Sequence, residues 1–273
     1  MNAPAIPARV RARLQGLAAA PQAQQPLWRS AADTVVGNYH GARLTSAFQP
    51  IVNLASGRLI GHQALLRFHT PDGPDAAPWN LFQRAAGDAE LVALDRLARS
   101  LHTLNYYRNA GATGTLFVHV HGRLLGAVRE DHGATFRRML GDLGLANRNI
   151  VIELPAVAMA DPGWCLQVLA NYRRNGFAVA ANAGDAEEFE WLDRQARPHY
   201  LKLDIRGQRA RGRLARLVTA AARRGVATVF KCVETQSDLE AARAPGCAYA
   251  QGYALGAPAA GIAYPAGSGA EAG

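Results

Sequence analysis

Lysine is almost missing from this sequence: among 30 lysines and arginines, only Lys202 and Lys231 are lysine. Each sits in or at the end of an apolar, strand-like run, YLKLD and TVFKC. In a chain that otherwise uses arginine for charge, two lysines placed this way need a local reason. Cysteine is scarce too. Cys165, Cys232 and Cys247 are scattered and lack metal-finger spacing, which points to a reduced compartment and packing roles. No apolar run approaches the ~18–20 residues that would cross a bilayer. The start, MNAPAIPARVRARLQGLAAAPQ, has no continuous apolar core of a secretory signal. These absences describe a cytoplasmic protein with no membrane partner.

What is present suits one large α/β domain. The chain has 273 residues, 49% of them apolar, a size and composition that a single α/β barrel commonly reaches. A net charge of +9 raises the question of nucleic acid. The densest basic run, residues 205–225, places Arg209, Arg213 and Arg216 at helical spacing beside Leu214, Leu217 and Val218. That is the pattern of a solvated helix face, so nucleic acid is not expected as a partner.

Residues 1–30, rich in Ala, Pro and Gln, read as a flexible N-terminal arm with a short helix around Arg9 to Leu17. Residues 31–260 carry the folded domain, and 261–273 read as a disordered Gly/Ala/Ser tail. Within the domain, the runs SAFQPIV, LIGHQALLRF, GTLFVHV, NIVIEL, FAVAAN, HYLKLD, ATVFKCVE and AYAQGY alternate with segments of apolar 3–4 periodicity. Strands interleaved with helices in this way predict a TIM-type (β/α)8 barrel.

Chemistry in such a barrel collects at the C-terminal ends of the strands. Those ends carry Gln63 and Arg67, His119, Glu153, Asn182, Lys202 and Asp204, Lys231 and Glu234, and Gln251. Rim salt bridges would explain some of these polar residues. They do not readily explain one on every strand.

These residues closely resemble the EAL-domain family, bacterial phosphodiesterases that linearise cyclic di-GMP. The resemblance spans roughly Leu44 to Ala260 and is carried by FQPIV, G-x-Q-A-L-L-R, LFVHV, IVIELPA, YLKLD, VET and AQGYALGAP, in that order. It implies an EAL-like barrel whose relatives bind two Mg²⁺ or Mn²⁺ ions through a carboxylate-rich rim to cleave a phosphodiester. At the matching positions this chain is degenerate. The signature Glu is Gln63, the metal-binding Asn is His119, the paired aspartates are Asn182 and Ala183, and a Glu is Lys231. A second acid is Ala156. Glu153, Lys202, Asp204, Glu234 and Gln251 are retained. The substitutions shift the local field by about five charge units against cations, each worth several kcal/mol at a few ångströms. No metal cofactor and no hydrolysis are expected.

Binding needs other residues. The resemblance implies that Gln49, Arg67 and Asp95 lie beside the nucleotide, with Arg67 on a phosphate and Asp95 near guanine. Lys231, Glu234 and Gln251 complete the expected ligand set, the two lysines supplying charge that metals otherwise bring. Alternatives stand beside this reading. Arg67 can pair with Asp95 or Glu153 as a rim bridge, and Lys231 can pair with Glu153 or Glu234 and close the pocket. His119 and His121 alternate on a strand and can share a metal with Glu153. The functional expectation is an inactive regulatory domain in cyclic di-GMP signalling, in biofilm, motility or a related process. It would act as a receptor for cyclic di-GMP or through a regulatory protein partner. The rival is a phosphodiesterase with residual or metal-altered activity.

Overall fold

The computed structural model describes residues 6–22, 25–70, 78–108, 114–121, 131–155, 162–183, 186–207, 211–243 and 246–262. Its strands are β1 (Leu27–Arg29), β2 (Val35–Tyr39), β3 (Ala42–Asn53), β4 (Leu59–His69), β5 (Thr115–His119), β6 (Ile150–Glu153), β7 (Ala178–Asn182), β8 (Tyr200–Asp204), β9 (Ala227–Lys231) and β10 (Tyr249–Ala250). β3 pairs with both β4 and β10, so β3 to β10 close into an eight-stranded barrel. All eight strands coincide with the runs read from sequence.

One strand is reversed. β3 runs antiparallel to β4 and β10, while the other barrel pairs are parallel. The cause is the connection. Only residues 54–58 separate β3 from β4, enough for a hairpin and far too few for a parallel crossover. The hairpin sets Gln49 opposite Gln63 and Thr45 opposite Arg67. Gly61 then lets β5 approach β4, because a Cβ there would lie 1.9 Å from the Thr115 carbonyl oxygen.

Helices α2 (Pro78–Gln83) and α3 (Asp88–Tyr107) follow β4, and α4 (His132–Asp142), α5 (Pro162–Arg174), α6 (Ala186–Ala196), α7 (Arg211–Arg223) and α8 (Gln236–Arg243) follow β5 to β9 in turn. The alternation along each strand splits the core. Leu116, Val118, Ile152, Val179, Leu201 and Leu203 face the helices. Ile51, Phe117, Val151, Ala180 and Val229 fill the barrel interior below the site. Among the described residues, no helix is long and apolar enough to cross a membrane.

The segment expected as a flexible arm is packed over its described part. Its helix α1 (Ala8–Gln15) buries Val10 and Leu14, and Leu17 follows them into the main core. Those spacings give the helix one apolar face, which needs a surface to cover. Arg9 Nη1 donates to the Gly141 carbonyl at 3.1 Å, and β1 and β2 extend the sheet outward from β3. Of the tail, residues 263–273 lie outside the described residues.

Candidate functional site

The inward-facing positions at the top of the barrel bring together Gln49, Gln63, His119, Glu153, Asn182, Lys202, Lys231 and Gln251. Lys202 is the hub. Its side chain is 1% exposed, and Nζ donates to Gln63 Oε1 (2.5 Å), Glu153 Oε2 (2.8 Å) and Gln251 Oε1 (2.9 Å). A buried ammonium has three protons to place, and three oxygens take them. The Phe117 ring lies beneath, 5.1 Å from Nζ. The amides are themselves held: Gln63 Nε2 donates to the Phe117 carbonyl, and Gln251 Nε2 reaches Gln49 Oε1 at 3.5 Å. Gln49 Nε2 in turn donates to the Gly256 carbonyl at 3.3 Å.

Lys231 makes a second knot. Its Nζ donates to Asn182 Oδ1 at 2.6 Å, and Asn182 Nδ2 donates to the Leu154 carbonyl (2.7 Å) and towards Glu153 Oε1 (3.4 Å). So Lys231 closes on Asn182, not on Glu153 or Glu234. Burial works to raise the pKa of Glu153, but His119 and the ammoniums of Lys202 and Lys231 outweigh it and hold the carboxyl at about 2. Burial lowers the pKa of Lys202, and Glu153 opposes that shift.

His119 faces the mouth with its side chain half exposed, Nδ1 3.6 Å from Glu153 Oε2. Desolvation and the two ammoniums hold its pKa below the usual histidine range, against the pull of Glu153. His121 does not join it. β5 ends at His119, and the His121 ring stacks on Phe82 with centroids 4.3 Å apart. Among the described residues, no group of three or more His, Cys, Asp or Glu side chains is arranged to hold a metal ion.

Arg67 shares the inward face of β4 with Gln63, two pleats nearer the mouth. Among the described residues its only side-chain hydrogen bond is a weak one, Nη1 to the Leu66 carbonyl at 3.5 Å. Among the described residues it pairs with neither Asp95 nor Glu153. Asp95 departs from expectation. It is buried on α3 with Oδ2 2.7 Å from Arg99 Nε, and Arg99 Nη2 donates to the Tyr172 hydroxyl at 2.8 Å. The Arg99 guanidinium also lies over the Phe136 and Tyr172 rings. Asp95 therefore belongs to a helix-packing cluster. The i, i+4 spacing of Asp95 and Arg99 is the sequence signal for that pairing.

The outer acids are also engaged. Asp204 accepts from Arg206 Nε (3.2 Å), Nη2 (2.9 Å) and backbone N (3.0 Å), which keeps its pKa low. Arg206 Nη1 lies 4.0 Å from Glu234 Oε1. Arg206, two residues past the YLKLD run, was not singled out from sequence. Ala183 is buried in the core on the helix side, and Ala156 lies outside the described residues.

A family model described as the EAL domain matches residues 33–258. The chain belongs to the EAL family. No curated protein matches the sequence. Among solved structures, this EAL chain is similar to the EAL enzyme Bd1971 in its cAMP-bound form, at 17% identity and a TM-score of 0.65. That match covers 79% of this chain and 63% of the other, so the chain spans less than two thirds of that relative. The FimX EAL domain from Pseudomonas aeruginosa bound to c-di-GMP matches at 20% identity and a TM-score of 0.67, covering 81% and 93%. A standalone EAL protein from Vibrio cholerae O395 in its c-di-GMP-bound form matches at 19% and 0.68, covering 81% and 95%. These likenesses fix the fold of the EAL barrel.

Proposed function

We propose that this EAL domain does not hydrolyse cyclic di-GMP and serves cyclic di-GMP signalling as a metal-independent receptor for the intact dinucleotide. One observation carries the first half. The oxygens of Gln63, Glu153 and Gln251 accept from the Lys202 ammonium, and that of Asn182 accepts from the Lys231 ammonium. Glu153 is the only carboxylate within these two knots. A divalent ion there would face two cations, each worth about 4 kcal/mol per unit of its charge at 4 Å and an effective dielectric near 20. The donor set does not fit a metal pair.

The receptor half rests on the mouth. Arg67 meets no carboxylate among the described residues, and Lys231, whose register lies opposite Asp204 on the mouth side of Lys202, has a neutral amide as its partner. A guanidinium fork and an ammonium are suitable ligands for phosphate oxygens. Gln49, Gln251 and the exposed Glu234 would line the same opening. Two observations favour the second reading, a protein-interaction regulator that needs no nucleotide. Asp95 is committed to Arg99, and Gln49 is already bonded to Gly256.

The test is calorimetric titration of cyclic di-GMP with and without Mg²⁺, followed by chromatography of the recovered nucleotide. The receptor predicts metal-independent binding of intact ligand that is lost in Arg67→Ala. Absence of binding at high micromolar ligand would favour the protein-interaction reading. Cleaved nucleotide would overturn both and restore the phosphodiesterase alternative.

A further inference from the structure

The barrel has a second end, and it is basic. Seven of its strands, β4 to β10, run the same way. Their N-terminal ends therefore emerge together, opposite the mouth. An arginine precedes each of them by a few residues. Arg58 stands before β4, Arg108 before β5, Arg148 before β6, Arg174 before β7, Arg197 before β8, Arg223 before β9 and Arg243 before β10.

All but the half-buried Arg108 are exposed. Arg173, Arg194 and Arg224 reinforce the same turns, though Arg224 lies 3.5 Å from the buried Asp193. Carboxylates at this end are fewer than the arginines. Asp33 lies beside Arg108, whose Nη1 donates to its carbonyl at 2.6 Å, and its carboxylate is 3.5 Å from Arg29. Asp193 is buried, Asp142 closes α4, and Asp131 is held by amides of Asn171 and Asn175.

Helix termini explain only part of the pattern. Cations near a helix C-terminus complement its dipole, which suits Arg174, Arg223 and Arg243. Arg197, directly after α6 with its N–H on the Asp193 carbonyl, sits at a helix C-terminus as well. Arg58 lies in the β3–β4 turn and Arg148 in a single 3₁₀ turn, neither at the end of an α-helix, and both are exposed to solvent.

We infer that this end of the barrel binds the phosphate backbone of a nucleic acid duplex without reading its sequence. The chemistry selects that partner. Phosphate contacts ask for spaced cations, arginine above all, and for no apolar content. A protein interface would need an apolar centre. Stable binding to a bilayer would need an apolar or lipid anchor besides charge. Among the described residues the only exposed large hydrophobic is Tyr253, and it follows β10 at the opposite end. Of the described arginine side chains in the run at 205–225, Arg223 and Arg224 reach this end.

Fluorescence anisotropy of the full chain with a labelled DNA duplex of about 20 base pairs, between about 50 and 200 mM KCl, tests this. The expected result is binding that weakens steeply with salt. Arg58→Ala, Arg148→Ala and Arg243→Ala together should weaken it about tenfold and reduce the salt slope by roughly three. Among the described residues none of these three side chains makes a hydrogen bond or ion pair, so the fold should be kept. Arg43→Ala, Arg84→Ala and Arg216→Ala together remove equal charge elsewhere and should have a much smaller effect. An equal loss in this control set, or no duplex binding at the lowest salt, would overturn the inference. So would binding to phosphatidylglycerol vesicles or to an acidic polypeptide in place of duplex.

Discussion

The Nζ of Lys202 lies 2.8 Å from Oε2 of Glu153 with both side chains sealed from solvent, 1% and 2% exposed. In the centre of a barrel, such a pair has no water to fall back on. Its desolvation is offset only because two glutamine oxygens complete the ammonium's coordination.

Lys202→Met should therefore be strongly destabilising, although methionine fits the volume. It leaves Glu153 buried beside the weaker and more distant support of His119 and Asn182. The expected loss is about 3–5 kcal/mol. Urea unfolding would register it as a lower midpoint with an unchanged slope. A wild-type midpoint in the variant would mean that the knot contributes nothing.

Acid should weaken the fold in two stages. Buried His102, whose Nδ1 is 2.8 Å from Ser46 Oγ, has its pKa pushed down from 6.5 to about 3 by burial and then by His119. The unfolded chain takes a proton there that the folded chain refuses. Stability present above 6.5 is thus lost progressively as pH falls towards 3, at up to about 1.4 kcal/mol per pH unit. Glu153, held at about 2 against an ordinary 4.5, adds a further loss between those values. Comparing urea midpoints at about pH 7 and about pH 5 isolates the histidine stage, and His102→Gln should show a smaller drop.

Restoring carboxylates should restore metal affinity. Gln63→Glu and Asn182→Asp each add one negative charge, and Lys231→Glu exchanges a cation for an anion. The triple variant should bind Mn²⁺ in calorimetry, where the parent gives no heat of binding. Stoichiometric Mn²⁺ in the parent would contradict the closed knots around Lys202 and Lys231.

Asp95 separates a ligand role from a packing role. Its partner is Arg99, so Asp95→Asn should lower stability by about 3 kcal/mol by leaving a buried guanidinium without its counter-charge. Affinity of the folded protein for cyclic di-GMP should be unchanged. An affinity loss without a stability loss would return Asp95 to the nucleotide site.

Lys231→Met should weaken metal-free nucleotide binding by about tenfold or more, the loss of one charge-assisted hydrogen bond of roughly 1.5–3 kcal/mol. Equal affinity in the variant would remove Lys231 from the phosphate site and leave Arg67 as its cation.

The linear sequence determined a good deal. Apolar runs of strand length, separated by helical periodicity, located all eight barrel strands, because burial on one face or both imposes a short repeat that composition cannot hide. The isolation of Lys202 and Lys231 among arginines marked the two ammoniums around which the site is built. Gln63, Asn182 and Lys231 were expected, from the resemblance, to stand where relatives carry carboxylates, and the fold brings all three to the top of the barrel.

Tertiary structure decided who pairs with whom. Asp95 has a side chain that suits a base contact, and only the placement of Arg99, Tyr172 and Phe136 around it shows that it serves packing. Lys231 had carboxylates to choose from and met an amide instead. Arg206 became the partner of Asp204 through a local turn. The first strand's direction followed from a five-residue connection, and the docking of α1 from a surface that exists only once α3 and α4 are in place. The arginines before successive strands are tens of residues apart in the chain. They form one face because parallel strands in a closed barrel all begin at the same end.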